Sequence, residues 1–335
     1  MIKVGLIGCG FMGGMHAACY AALEDKGVKV TAVSDARPEF LEKMVQQTGA
    51  EGYASSEDLI KQADVDVVDI CLPTYLHAAT ACAAMEAGRD VFCEKPICLQ
   101  EEEAQQILEV KNRTGRKMMI GQVIRLWDEY AWLKKTADAG TYGRVLSGVF
   151  QRVSSRPGWA SDNWLSSASL SGGVAVDMHI HDVDFVRYLL GDPDRVQAGA
   201  NRDKDGMITH IFAIYNYGKD VAVSIEASWD YPATFPFSAT FRVKLEQATI
   251  TYDANGLTVY PEQGDPFHPE IEQQYSGENS IGGNISSLGG YYNELKYFIE
   301  GLQGKNDLSV APPEEAVASL RLVKKEIEAA GGLLA

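Results

Sequence analysis

Few features of this chain suit life outside the cell or within a membrane. Its 335 residues include six cysteines, Cys9, Cys19, Cys71, Cys82, Cys93 and Cys98, all within the first hundred positions. None form C-x-x-C, and their spacing fits no zinc framework. Several stand on apolar strands or in Ala-rich stretches, where a free thiol behaves as a small hydrophobe. Reduced thiols in the cytoplasm are therefore expected, and a redox partnership of Cys93 with Cys98 is not. Long apolar runs are missing too: none nears the roughly 18 residues that a membrane span needs. A strand starting at Ile2 leaves no room for a secretory signal, so none is expected. Positive charge is scarce. Against 46 acidic residues stand 30 lysines and arginines, a formal net charge of −16, which argues against nucleic acid or an anionic membrane as partner. Neither a sequence repeat nor a coiled-coil heptad is present.

What is present is an ordinary globular composition, 46% hydrophobic and 23% charged, with length enough for two domains. The N-terminus reads MIKVGLIGCGFMGGMHAAC. Ile2, Val4, Leu6 and Ile7 make the apolar run of a buried parallel strand. Gly8, Gly10 and Gly13 follow at G-x-G-x-x-G spacing and open a helix. Gly8 permits a tight turn, Gly10 lets the backbone approach a pyrophosphate, and Gly13 lets helix and strand pack closely. The helix N-terminus then offers N–H groups and a positive dipole to the phosphates. Val28 to Ser34 reads as the second strand, with Asp35 at its carboxyl end. A carboxylate there accepts hydrogen bonds from the ribose 2′- and 3′-hydroxyls and repels a 2′-phosphate, favouring NAD over NADP. Arg37 offers a cation that could soften this preference and admit NADP. The structural alternative is that Asp35 only caps the helix opening near Pro38.

Strands and helices alternate up to Gly121, which predicts a Rossmann-type, doubly wound parallel sheet over residues 1–122. Ligands of such sheets bind at the carboxyl ends of the strands. Asp35, Pro73, Thr74, Glu94, Lys95 and Gln122 all fall at such ends. In Glu94-Lys95-Pro96 the lysine can hydrogen-bond a substrate hydroxyl and stabilise developing alkoxide charge, while Pro96 fixes the turn and biases Lys95 away from helix. A solvated loop pair is the alternative.

Residues 123–335 predict an α+β domain with a large, mostly antiparallel open sheet. Its strands are Arg144 to Ser154 and six segments between Arg195 and Tyr260, joined by tight connections such as Gly218-Lys219 and Ala254-Asn255. Ile211, Ala213 and Tyr215 alternate with Phe212, Ile214 and Asn216. Apolar residues on both faces suggest that one packs on helices and the other on a second subunit. Gln263 to Gly290 reads as a long polar lid or oligomer-contact arm. Between these lies SGGVAVDMHIHDVDFVRYLLGD, Ser171 to Asp192. From Val174 on it fits a helix, with Asp177, His181, Asp184 and Tyr188 on one face. Imidazole titrates near neutrality and Asp177 can orient it, which suits acid–base work. A merely solvated polar face is the alternative. Metal binding by this helix is not expected, because His179 and His181 diverge by about 200° on an α-helix.

In this order, the glycine loop, Glu94-Lys95-Pro96 and G-G-x-x-x-D-x-x-x-H-x-x-D resemble one family. They are joined by Pro73-Thr74-x-x-His77 and a closing helix around Tyr291, Glu294 and Phe298. The chain resembles, from Ile2 to about Ala330, the glucose–fructose oxidoreductase / inositol dehydrogenase / rhizopine-catabolism (GFO/IDH/MocA) family of NAD(P)-dependent oxidoreductases. The resemblance implies hydride transfer between NAD(H) and a secondary hydroxyl or ketone of a sugar, glycoside or cyclitol. Lys95, Asp177 and His181 would be the catalytic trio. His181 would take the hydroxyl proton, Lys95 would polarise the oxygen, and Asp177 would hold the imidazole or a neighbouring hydroxyl. Besides the residues already named, the cofactor would meet Phe11, Met12, Leu72 and His77. Arg152, Arg156, Trp159 and Trp164 could line the sugar pocket, core packing being the alternative for the tryptophans. His179 stands where many relatives carry glycine, either contacting substrate or filling space. A homodimer or homotetramer through the open sheet is expected. Two rivals share the cofactor site: an NAD-dependent glycosidase that oxidises C3 transiently and eliminates the aglycone, and a non-catalytic dinucleotide-binding regulator.

Overall fold

A computed structural model describes residues 1–158, 161–275 and 288–332. The chain forms two compact units, Met1–Leu126 with Gln274–Val317 and Trp127–Gln273 with Ala318–Ala335.

The first unit holds six strands: β1 (Ile2–Ile7), β2 (Val28–Ser34), β3 (Glu51–Tyr53), β4 (Val67–Ile70), β5 (Asp90–Glu94) and β6 (Met118–Gly121). They pair in the order β3-β2-β1-β4-β5-β6, every pair parallel, the order of a doubly wound dinucleotide-binding sheet. All of β4 and β6 and the inner part of β1 are buried, which is why these strands read as unbroken apolar runs. The helices between them are α1 (Phe11–Ala22), α2 (Pro38–Thr48), α3 (Ser56–Gln62), α4 (His77–Glu86) and α5 (Glu101–Thr114). Local chemistry sets their ends. Pro38 occupies the first turn of α2 and Gly49, at φ +68°, its C-terminus. A Gln100–Glu103 capping box opens α5, and Gly115 at φ +64° closes it. The cysteines are all free thiols. Burial pushes Cys9 and Cys19 up to about 12 and Cys82 up to about 11, so these are packing residues and not reactive thiolates.

The second unit holds helix α6 (Asp128–Asp138), strand β7 (Val145–Ser155), the short α7 (Ala168–Ser171), helix α8 (Ile180–Leu190), and strands β8 (Arg195–Arg202), β9 (Ile208–Tyr217), β10 (Val221–Tyr231), β11 (Ser238–Leu245), β12 (Ala248–Asp253) and β13 (Gly256–Pro261). Its sheet runs β13-β12-β11-β7-β10-β9-β8. Every pair is antiparallel except β7 with β10. On β9, Ile211, Ala213 and Tyr215 are buried while Phe212 and Ile214 are each 46% exposed. One face therefore carries the core and the other is open. The core face gathers Tyr130, Phe150, Phe185 and Phe241, with Tyr130 edge-on to Phe185 at 4.8 Å and to Phe241 at 5.0 Å between centroids. Each such ring contributes about 1.5–3 kcal/mol on burial, plus the edge-to-face attraction.

Helix α9 (Gly289–Leu302) belongs to the first unit. A contiguous division at residue 122 therefore misses a segment, and the reason is apolar area. Leu295, Phe298 and Ile299 are buried among Tyr20, Leu23 and Phe92, and Phe92 meets Phe298 edge-on at 5.4 Å. The last helix is α10 (Pro313–Ala329). Of the polar stretch Gln263 to Gly290, residues 276–287 lie outside the described residues. Among the described residues no helix is long and apolar enough to cross a membrane.

The aromatic cluster of the second unit encloses a charge pair. Arg152 donates from Nε to Asp182 Oδ2 at 2.8 Å and from Nη2 to Oδ1 at 3.2 Å and to the Tyr130 hydroxyl at 3.3 Å. Removing one partner strands the other charge, and breaking such a pair costs about 3–5 kcal/mol. Asp182→Ala should therefore lower unfolding stability by that amount in denaturant titrations. The double replacement Arg152→Met with Asp182→Leu should lose far less.

Candidate functional site

Three groups of residues end at the carboxyl edge of the first unit's sheet. The glycine loop follows β1. Gly8 has φ +95° and donates its N–H to Ser34 O at 2.8 Å. A Cβ on Gly8 would lie 2.5 Å from Cys71 O, and one on Gly13 only 1.9 Å from Gly8 O. Neither place admits a side chain. At Gly10 the nearest atom to such a Cβ is Arg37 Nη2 at 3.8 Å, so the backbone there faces open space, as close approach of a pyrophosphate requires. Helix α1 begins at Phe11 and Met12 with no side chain capping it, which leaves its positive end to an anion.

Asp35 follows β2 and is 7% exposed. It accepts from Cys9 N at 2.9 Å on Oδ2, from Arg37 N and Nε at 2.9 Å on Oδ1, and from Arg37 Nη2 at 2.9 Å on Oδ2. Burial pushes its pKa up, but the hydrogen bonds from Arg37 and from the backbone outweigh it and hold the carboxyl below its ordinary range. The Arg37 guanidinium also lies 4.0 Å from the centre of the Phe40 ring. Arg37 therefore does more than stand near Asp35: it covers both carboxylate oxygens.

Beyond β4, β5 and β6 come Leu72-Pro73-Thr74, Glu94-Lys95-Pro96 and Gln122. The bond between Lys95 and Pro96 is cis. Lys95 is half-buried, and its backbone N–H donates to Glu94 Oε2 at 3.1 Å. His77 is buried, with Nδ1 2.8 Å from Pro96 O and Nε2 2.7 Å from Leu72 O. Burial lowers its pKa against the pull of those two carbonyls. The ring ties two strand-end turns together, so His77 supports the cofactor edge through the backbone. Gln122 is 1% exposed, yet neither amide atom has a hydrogen-bond partner among the described residues. A buried orphan amide at this edge fits a ligand with its own donors and acceptors. The glycine cradle, the acid after β2 and this amide all suit a dinucleotide such as NAD.

The second unit places the other candidates on the segment leading into α8. Gly172 and Gly173 have φ +74° and +67°, and a Cβ on Gly172 would lie 2.5 Å from Val176. Ala175–His179 then forms a π-helical turn before α8 starts at Ile180. A uniform α-helix from Val174 is thus interrupted by an extra residue per turn, a feature frequent at functional sites. The polar residues of this stretch divide by burial. Asp177 and His181 are half-buried. Asp184 is fully buried and accepts from Ser319 Oγ at 2.7 Å, so it belongs to the core. His179 is also core: its Nε2 lies 2.9 Å from Glu326 Oε2, both side chains wholly buried, and Glu326 Oε1 accepts from the Tyr215 hydroxyl. It fills space with a polar partner.

The candidate sugar-pocket residues divide similarly. Arg152 is taken by Asp182 and 7% exposed. Arg156 donates to Asp203 at 2.9 Å on the surface. Trp164 is half-buried in the 3-10 turn Ser161–Ser166, and Trp159 lies outside the described residues. Sequence reasoning missed His16, Asp69, Asp182 and Glu326. A signal existed for Asp69, a lone carboxylate inside the apolar strand Val67–Ile70, since such a group must find a partner on folding.

Residues 2–122 match the model of the oxidoreductase family with an NAD-binding Rossmann fold, and residues 130–251 match the GFO/IDH/MocA C-terminal domain. Among curated relatives, levoglucosan dehydrogenase of Pseudarthrobacter phenanthrenivorans is 32% identical over 59% of this chain and 53% of its own length. Inositol 2-dehydrogenase of Rhizobium meliloti is 33% identical over 57% and 56%. These matches thus span little more than half of either relative. Among solved structures, an NAD binding oxidoreductase from Klebsiella pneumoniae superposes with a TM-score of 0.80 at 25% identity, covering 98% of this chain and 96% of that one. With both halves matched in order, on a doubly wound sheet followed by a mostly antiparallel one, the chain belongs to the GFO/IDH/MocA family of oxidoreductases.

Proposed function

We propose that this protein is an NAD-dependent dehydrogenase that acts on a secondary hydroxyl of a sugar or cyclitol in the reducing cytoplasm. The observation that carries this reading is Lys95, half-buried on a backbone-pinned turn at the same sheet edge as the glycine loop and the orphan amide of Gln122. A nicotinamide bound at that edge would supply a hydride acceptor. Lys95 would donate a hydrogen bond to the reacting oxygen and stabilise negative charge as its proton leaves. His181 would receive that proton, and Asp177 would fix the orientation of the acceptor. Levoglucosan dehydrogenase and the inositol 2-dehydrogenases among its relatives support a polyol substrate.

The open face of the second unit's sheet suggests a homodimer or homotetramer. Val149, Phe212 and Ile214 lie on β7 and β9 and are 38%, 46% and 46% exposed, an apolar patch that water does not favour. Sedimentation should find a dimer or tetramer that Phe212→Asp with Ile214→Asp dissociates; a monomeric native protein would sink this reading.

Activity is tested with a panel of myo-inositol, levoglucosan, free sugars and sugar acids, following NADH absorbance. At least one polyol should turn over, and Lys95→Met or His181→Ala should lower kcat by about 10²–10⁴-fold. Full turnover in either variant would refute its catalytic role. Release of an aglycone without net NADH would identify transient oxidation and elimination instead.

Cofactor choice is tested at Arg37. NADPH needs a cation for its 2′-phosphate, and a charge-assisted hydrogen bond contributes about 1.5–3 kcal/mol. In fluorescence titrations Arg37→Ala should weaken NADPH binding by at least about tenfold and leave NADH binding unchanged or tighter, because Asp35 is uncovered. Equal losses for both dinucleotides would show that Arg37 only holds the loop.

A further inference from the structure

Behind the cofactor edge of the first unit lies a buried polar cluster that the chemistry above does not use. His16 on α1 is 0% exposed. Its Nδ1 is 2.8 Å from Asp69 Oδ2 on β4 and 3.2 Å from Cys71 Sγ, and its Nε2 is 3.0 Å from Glu94 Oε1 on β5. Phe92 meets the ring edge-on at 5.5 Å. Both nitrogens thus face carboxylates, the arrangement that a ring donating from each side requires. Burial works against a charge here, but Asp69 and Cys71 raise the pKa well above that of an ordinary histidine. Glu294 on α9, also 0% exposed, completes the cluster, a carboxyl oxygen lying within 4.8 Å of a ring nitrogen of His16 and of a carboxylate oxygen of Glu94. Burial, with the Glu94 carboxylate nearby, raises its pKa well above the ordinary carboxylate range.

Each oxygen of Glu94 has one task. Oε1 accepts from His16, and Oε2 accepts from the backbone N–H of Lys95. Gly121 leaves the carboxylate its place, since a Cβ there would come within 3.2 Å of Oε1. On its other side the turn is held by His77 through Pro96 O. The backbone N–H of Lys95 is therefore held by the Glu94 carboxylate, and that carboxylate is in turn held by His16.

We propose that His16 is a positioning residue for Lys95: by clamping Glu94 it makes the helix behind the glycine loop set the place from which the lysine works. The proposal rests on the catalytic reading of Lys95. A shift of about 1 Å in a reacting group can cost about 10²-fold in rate, so a loosened clamp should appear in kcat.

Two substitutions at one position separate this role from general support of the fold. The amide nitrogen of Asn falls near imidazole Nδ1 and that of Gln near Nε2. His16→Asn keeps the bond to Asp69 and loses that to Glu94; His16→Gln does the reverse. With the best substrate of the polyol panel, His16→Asn should lower kcat by about 10–100-fold, with NADH Kd and substrate KM within about twofold of wild type. His16→Gln should stay within about threefold in kcat. In a Lys95→Met background, His16→Asn should cause no further loss.

If His16→Asn keeps wild-type kcat while Lys95→Met is inactive, the positioning role is overturned and the catalytic reading stands. If Lys95→Met is itself fully active, both fall. Equal losses in the Asn and Gln variants that track a lower Tm, or a full additional loss on Lys95→Met, would make His16 merely structural. A stoichiometric metal ion in the purified protein would also overturn it, since His16 would then be a ligand. Should His16→Asn fail to fold, Glu94→Gln, which turns an amide N–H₂ toward one of the two donors, should show the same kcat loss, and wild-type kcat there would overturn the proposal.

Discussion

The carbonyl of Gly8 lies where a side chain on Gly13 would have to begin, and the carbonyl of Cys71 lies against Gly8 itself. Much of the first unit follows from this closeness. With no Cβ to hold them apart, the start of α1 sits directly on the ends of β1 and β4. That seating brings His16, one turn further along α1, into reach of Asp69 and Glu94. The same constraint leaves backbone N–H groups at the mouth of the sheet and places a buried charge pair beneath it. A loop that looks like a feature for binding phosphate is also a packing contact.

Both units handle buried charge by the same rule, that a charge removed from water must be met at once by another. In the second unit Arg152 and Asp182 satisfy each other beside Tyr130, and the buried Glu326 carboxylate of α10 accepts from the Tyr215 hydroxyl and lies 2.9 Å from His179 Nε2. In the first, His16 serves two carboxylates. Pairs of this kind add little net stability compared with apolar residues of the same shape, but they penalise any misplacement of the elements that carry them.

The sheet of the first unit, its strand order and its glycine loop were legible because a parallel, doubly buried strand must be apolar and because only glycine fits the loop. Alternation on β9 likewise revealed two faces, and the structure shows which is open. Less was legible wherever long-range packing decides. Nothing local in Leu295 or Phe298 says that α9 returns to the first unit. The π-turn at Ala175–His179 has no period to betray it, and an α-helical wheel put Asp184 with Asp177 and His181 on a functional face, whereas Ser319 holds it in the core. Arg152 read as a pocket cation because its partner, Asp182, is thirty residues away and lies within the motif that drew attention to its neighbours instead. His16, next to the glycines, looked like one more helix residue until its two carboxylates were seen.

The return of α9 has a consequence for synthesis. The sheet and helices of residues 1–126 are made long before α9, yet Tyr20, Leu23 and Phe92 share one apolar cluster with Leu295, Phe298 and Ile299. Until those residues emerge, part of that apolar surface on the nascent Rossmann sheet stays open to water and to other chains. Two segments more than 160 residues apart must meet before this domain is finished, so a product cut short before α9 would be a sticky one.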